Sequence, residues 1–155
     1  MPDLPTLRRA QLDDVNALLR LEALFPSDAL SRRSLRRLLA RPSAALWVAD
    51  LQDRVVGSAV LLTRSTTATG RLYSLVVDPA TRGHGIGARL IAQMHHAAYE
   101  RGKRAMVLEV RPDNAAAIAL YTRFGYRSAA RLTGYYEDGS DALRMRLMNL
   151  ETPAA

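Results

Sequence analysis

Leu72-Tyr73-Ser74-Leu75-Val76-Val77-Asp78-Pro79-Ala80-Thr81-Arg82-Gly83-His84-Gly85-Ile86-Gly87 reads as a strand, a turn and the opening of a helix. Residues 72–77 form an apolar, strand-like run, Asp78 to Thr81 make the turn, and a helix-like run extends from Ala88 to Tyr99. Such a unit is an anion site. The first N–H groups of a helix have no intrahelical partner, and the helix dipole adds partial positive charge there. Glycines at 83, 85 and 87 tolerate positive φ and let the backbone approach a bulky phosphate. The pattern therefore predicts a grip on a pyrophosphate, with a ligand-free glycine turn as the other reading of the hexapeptide. The Rossmann spacing G-x-G-x-x-G is absent, and no lysine supplies the Gly-Lys-Ser/Thr ending of a Walker loop.

The bulk composition narrows the setting. With 155 residues, 48% hydrophobic and 24% charged, residues 1–150 are expected to form one globular domain, with 151–155 a frayed tail. There is no cysteine, which excludes disulfides, thiol nucleophiles and thiolate metal sites. No apolar run approaches the ~20 residues of a membrane span. Met1-Pro2-Asp3-Leu4 does not open a basic-then-apolar signal, so a cytoplasmic protein is expected. The net charge of +7 raises nucleic acid as a partner. Yet the arginines are scattered from Arg8 to Arg146 and Lys103 is the single lysine, so no sequence-specific nucleic-acid reader is expected. The densest cluster, Arg32, Arg33, Arg36, Arg37 and Arg41, covers one side of a helix whose other side carries Leu35, Leu38 and Leu39. It is either a solvated face or a face that attracts an acidic partner.

Along the chain, Leu4 to Arg9 suits a strand, and Asp13 or Asp14 can cap a helix carrying Val15, Leu18 and Leu19. After Pro26 a second helix is expected from about Ser31 to Arg41, then strands over 45–51 and 55–63. Thr66 to Gly70 reads as a polar turn, Arg71 to Val77 as the fourth strand and Gly85 to Arg101 as the third helix. A fifth strand over 104–110, a helix over 114–124 and final strands over 126–132 and 142–150 complete the order. This is an α/β chain with a mixed sheet, insufficiently alternating for a doubly wound fold.

The spacing Arg82-x-x-Gly85-x-Gly87 resembles the acetyl-CoA loop of the GNAT N-acetyltransferase superfamily. About thirty residues on, Leu108-Glu109-Val110-Arg111-Pro112-Asp113-Asn114 runs into a helix. Asn114, Ala117, Tyr121, Gly125 and Tyr126 there fall in the family register N-x-x-A-x-x-x-Y-x-x-x-G-F/Y. The run L-E-V-R-x-x-N-x-x-A-I-x-L-Y and the pair Tyr135-Tyr136 are most similar to bacterial ribosomal-protein alanine N-acetyltransferases. The resemblance is strong over roughly 72–147 and weak before it.

The resemblance implies a mainly antiparallel sheet with helices on both faces and splayed central strands. It implies acetyl-CoA as co-substrate, with pantetheine lying against the backbone of Leu75, Val76 and Val77. The N–H groups of Arg82, Gly83, His84, Gly85, Ile86, Gly87 and Ala88 would hold the pyrophosphate. The Arg82 side chain either adds charge or points to solvent. Asn114 is either a plain helix N-cap or a hydrogen-bond partner of the pantetheine arm.

The implied chemistry is direct attack of an amine on a thioester. Freeing a protein α-amine (pKa near ~8) at pH 7 costs about 1.4 kcal/mol, against several for a lysine amine near ~10.4. A modest base acting through water suffices. Glu109, ending the fifth strand, is the expected base, its alternative being a salt-bridged strand carboxylate. Tyr121 is the expected proton donor to the sulfur, its alternative a core aromatic. A backbone N–H near Val76 could polarise the carbonyl. Tyr135 and Tyr136 either line the acceptor groove or pack on the sheet. His95 and His96 are adjacent on a helix and diverge by about 100°, so no metal site is expected. Phe25-Pro26-Ser27 lacks the tryptophan of the alanine acetyltransferases, and Gly134 stands where they often carry asparagine. Both departures bear on the acceptor. Three functions follow: an N-terminal protein acetyltransferase, a small-amine acetyltransferase, or an acyl-CoA-binding regulatory module without turnover. Family members often pair, so a homodimer is a further expectation.

Overall fold

A computed structural model of the chain describes residues 4–151. Among these residues seven strands occur: β1 (Thr6–Arg9), β2 (Ala44–Leu51), β3 (Arg54–Leu62), β4 (Thr69–Val77), β5 (Ala105–Val110), β6 (Arg127–Leu132) and β7 (Ala142–Leu147). They form one sheet in the order β1-β2-β3-β4-β5-β7-β6. Neighbours are antiparallel except β4 and β5, which run parallel. The helices are α1 (Val15–Glu22), α2 (Arg32–Ala40), α3 (Ile86–Glu100) and α4 (Ala115–Arg123). The expected element order and mixed, mainly antiparallel sheet are observed. The expected frayed tail falls, beyond Glu151, outside the described residues.

Each face of the sheet carries helices. Leu18 of α1 with Leu35 and Leu38 of α2 bury against Leu46, Val48 and Val60. Leu90, Ile91 and Met94 of α3 and Tyr121 of α4 bury against Ala49, Ala59, Leu61 and Met106 on the other face. In α2 the leucines go inward and Arg32, Arg33, Arg36 and Arg37 outward, as the periodicity requires. Gln52 and Asp53 both take positive φ (52° and 64°), the two-residue turn that matches strand twist between β2 and β3.

The fourth strand begins at Thr69, not Arg71, and this difference positions the site. Thr69-Gly70 lies in the sheet because Gly70 lets β5 approach: a Cβ there would sit 3.0 Å from Met106 Sδ. Only Thr69–Arg71 pairs with β5, against Ala105–Val107. Beyond it, Leu61 faces Leu72 and Val60 faces Ser74, so Tyr73 is an extra residue in β4. Such a bulge bends and twists the strand that carries it. β4 thus leaves β5, and the splay opens from residue 72 onward. Among the described residues no helix is long and apolar enough to cross a membrane.

Candidate active site

The splay exposes one edge of β4. Asp78 N–H donates to Val56 C=O at 2.8 Å, which sets the alternation of the β3–β4 ladder. In an antiparallel pair, residues alternate between exchanging hydrogen bonds and turning their backbone groups outward. Val76 therefore exchanges bonds with Ser58, while the backbone groups of Leu75 and Val77 face the gap. Of the three residues expected along the pantetheine, Leu75 and Val77 turn their backbone groups to the gap and Val76 turns its own to β3.

At the end of β4, buried Asp78 shapes the turn. Its carboxylate accepts from Ala80 N–H (2.9 Å) and from Arg54 (3.2 Å), and its carbonyl accepts from Thr81 Oγ1 (2.9 Å). The chain then passes through Gly83 (φ 86°) and Gly85 (φ 73°) into α3. A Cβ at either glycine would touch nothing within 4 Å, so the left-handed backbone, not crowding, requires glycine there. Gly87 differs: a Cβ would lie 3.3 Å from Leu120 Cδ2 of α4. The first intrahelical bond is Arg89 N–H to Gly85 C=O at 3.0 Å, which leaves the N–H groups of Ile86, Gly87 and Ala88 without helical acceptors. Arg82, Gly83, His84 and Gly85 are exposed around them. The Arg82 guanidinium lies 5.9 Å from the Phe25 ring centroid. This end of the gap has the donors an anion needs.

Glu109, at the other side of the gap, is not a free strand carboxylate. One oxygen accepts from Arg71 Nη1, the other from Arg144 Nε at 2.8 Å, and its side chain is 8% exposed. Burial pushes the carboxyl up, but the two guanidiniums outweigh it and hold it below the usual glutamate range. Tyr121 is buried against Tyr126 (5.8 Å between rings), and burial together with Tyr136 pushes its phenol up to about 12, so it is neutral at pH 7. Tyr135 and Tyr136 meet edge to face at 5.1 Å. Burial raises both phenols, with Glu109 adding to each and Asp28 to Tyr136. These four predicted residues thus share one electrostatic environment. Asn114 caps α4, its Oδ1 accepting from Ala117 N–H at 3.2 Å; the N-cap reading is observed, and its amide nitrogen makes no bond among the described residues.

Sequence reasoning missed Arg111. Its guanidinium takes both oxygens of Asp28 (2.8 and 2.9 Å) and one of Asp138 (3.1 Å), and lies 4.2 Å from the Tyr136 ring centroid. One side chain thus ties together the α1–α2, β5–α4 and β6–β7 connections beside Glu109. Its partners lie 83 and 27 residues away, a separation that carries no local pattern. Gly134 takes φ 63° and donates to Asp141 at 3.0 Å. Asparagine tolerates that left-handed conformation too, so this departure from the family pattern preserves the backbone path. His95 is bonded to Tyr126 Oη at 2.8 Å in the core, and no group of metal-ligating side chains occurs among the described residues.

The chain is similar to known proteins in sequence and in fold. The chain is 36% identical over 93 residues to the [Ribosomal protein bS18]-alanine N-acetyltransferase of Escherichia coli K12, a match spanning 58% of this chain and 63% of that enzyme. It is 29% identical over 151 residues to an N-alpha-acetyltransferase of Saccharolobus solfataricus, spanning 90% of each. The crystal structure of Ard1 from Thermoplasma volcanium superposes with a TM-score of 0.87 at 27% identity, covering 96% of this chain and all of that one. The family described as Acetyltransferase (GNAT) matches residues 12–126. The chain, with its splayed β4 and glycine loop, belongs to the GNAT acetyltransferase family.

Proposed function

We propose that this protein transfers the acetyl group of acetyl-CoA to the N-terminal α-amine of a protein. What supports the reading is the open edge of β4. Leu75 and Val77 turn backbone groups into the gap, the N–H groups of 86–88 lie at one end of that strand, and Glu109 lies on β5 across the splay. The N–H groups suit a pyrophosphate and the strand edge suits the amides of pantetheine. Acetyl-CoA supplies an activated thioester carbonyl. The residues do the rest. The N–H of Leu75 or Val77 supplies the donor for a developing oxyanion, the role the sequence reading gave to a group near Val76. Glu109, ionised at neutral pH and held by two arginines, draws the amine's proton through a water. The attack makes the C–N bond and the oxyanion; as the oxyanion collapses the C–S bond breaks and neutral Tyr121 gives its proton to the departing sulfur.

Glu109 is a weak base, and that supports an α-amine over a lysine: the ~8 pKa of an α-amine leaves little proton affinity to overcome. The names of the two curated relatives point the same way. Thiol release from acetyl-CoA with peptides bearing free Ala, Ser, Met or Gly N-termini, beside a pool of small amines, tests the proposal. Peptide-dependent release that Glu109→Gln and Tyr121→Phe each reduce about tenfold or more is expected, ~1.4 kcal/mol of barrier. Release with small amines alone would overturn the acceptor, and acetyl-CoA binding without turnover on any amine would overturn the enzyme reading.

A further inference from the structure

At the end of the sheet remote from the glycine loop, a cavity of about 600 Å³ opens where β2 begins and α3 ends. Four cationic side chains line it, from Arg41, Arg64, Arg101 and Lys103, and no carboxylate does. Lys103 is only 6% exposed. Its Nζ donates to the carbonyl oxygens of Arg64 and of Thr67, the latter at 2.6 Å. Arg101 donates to Thr63 Oγ1 at 3.1 Å and to Pro42 C=O at 3.4 Å, and Arg41 to Ser43 Oγ at 2.7 Å. None of the four has an ion pair among the described residues, whereas Arg8, Arg54, Arg71, Arg111, Arg131 and Arg144 all do. Burial and the nearby Arg9 lower the Arg101 guanidinium below its ordinary value.

Neutral carbonyls satisfy the hydrogen bonds of the Lys103 side chain without supplying a counter-charge, and burying an ion without one is unfavourable. The C-terminal dipole of α3 offsets only a small part of that. A multiply charged anion from outside completes the arrangement, and guanidinium forks with hydroxyl donors suit tetrahedral phosphate. α3 is 15 residues long, so its two ends lie about 22 Å apart and this cavity is separate from the N–H groups at 86–88. We propose that the cavity binds a phosphorylated ligand, held by the guanidiniums of Arg41, Arg64 and Arg101 and the ammonium of Lys103. The proposal does not depend on the acetyl acceptor.

The test uses the full chain saturated with acetyl-CoA, so that its glycine loop is occupied. Tripolyphosphate is titrated calorimetrically at low salt, with a short single-stranded RNA as a second probe. Arg41→Gln/Arg64→Gln removes two exposed cations and keeps Lys103 in place. Arg127→Gln/Arg146→Gln removes the same charge at the β6–β7 edge. The expected result is tripolyphosphate binding that weakens by more than about tenfold in the first variant and less than about twofold in the second. RNA binding with the same selective loss, and none of tripolyphosphate, supports the cavity with a nucleic-acid backbone as the phosphate source. Failure of both probes to bind, or equal weakening in both variants, overturns the proposal.

Discussion

Replacing Glu109 by glutamine is expected to lower both stability and turnover, by amounts that separate on a pH axis. The carboxylate accepts from Arg71 and Arg144, whose side chains are 35% and 28% exposed against 8% for Glu109. Glutamine keeps one acceptor oxygen and turns an NH₂ group toward the other guanidinium. Removing one partner of a fully buried pair costs roughly 3–5 kcal/mol. Both arginines here reach water, which screens them, so about 1–2 kcal/mol is the appropriate expectation. For a domain of this size, at roughly 2–4 °C per kcal/mol, the Tm falls by about 2–8 °C. The chemical loss has a different origin. An α-amine with a pKa near ~8 carries its proton at pH 7, and removing it accounts for about tenfold in rate. General-base assistance sets an upper range of about 10²–10⁴. Peptide-dependent kcat/KM should therefore fall about tenfold to hundredfold near pH 7. The gap should narrow to about threefold or less near pH 9, where the amine arrives unprotonated. Thiol release at both pH values, beside a thermal melt, measures the two losses. A rate loss of equal size at both pH values would refute the base role and leave Glu109 as a clamp for Arg71 and Arg144.

Tyr121→Phe should reduce kcat about tenfold or more with the peptide KM unchanged, because the lost proton matters only as the sulfur leaves; initial-rate kinetics check it. Arg111→Met releases three connections at once and should raise the peptide KM about threefold to tenfold while acetyl-CoA affinity, measured by calorimetry, stays within about twofold. His95 contributes a pH-dependent term: its folded-state pKa is pushed down from 6.5 to about 4 by burial, so stability is fully present above 6.5 and is lost as pH falls from 6.5 through about 4, by about 3 kcal/mol at most. Urea unfolding across that range should show the decline, and His95→Gln should flatten it; an unchanged slope would refute the assignment. Gly85→Ala should lower the Tm by about 2–8 °C through backbone strain of about 1–2 kcal/mol, since no neighbour obstructs the added methyl.

Much of this was legible because it is local. The glycine loop, the α4 register from Asn114 to Tyr121, and the split of α2 into leucine and arginine faces all depend on neighbours within a few residues. Thr69-Gly70 was misread as a turn because glycine usually breaks strands, and only the approach of Met106 from another strand explains it. The two arginines that grip Glu109 stand 38 and 35 residues away, and the three-way bond of Arg111 spans further. Those contacts exist only once the sheet has brought β4, β5 and β7 side by side. The orientation of Val76 toward Ser58 likewise needs the ladder's register, which no single strand encodes.

The short parallel contact between β4 and β5 also bears on how the protein opens. Among the described residues, Thr69–Arg71 against Ala105–Val107 is the only strand-to-strand connection between the β1–β4 ladder and the β5–β7–β6 ladder. Amide hydrogen exchange should therefore resolve two cooperative blocks, each breathing with its own free energy. A strand-shaped ligand lodged below the contact would act as a missing rung, and protection would rise in both blocks together.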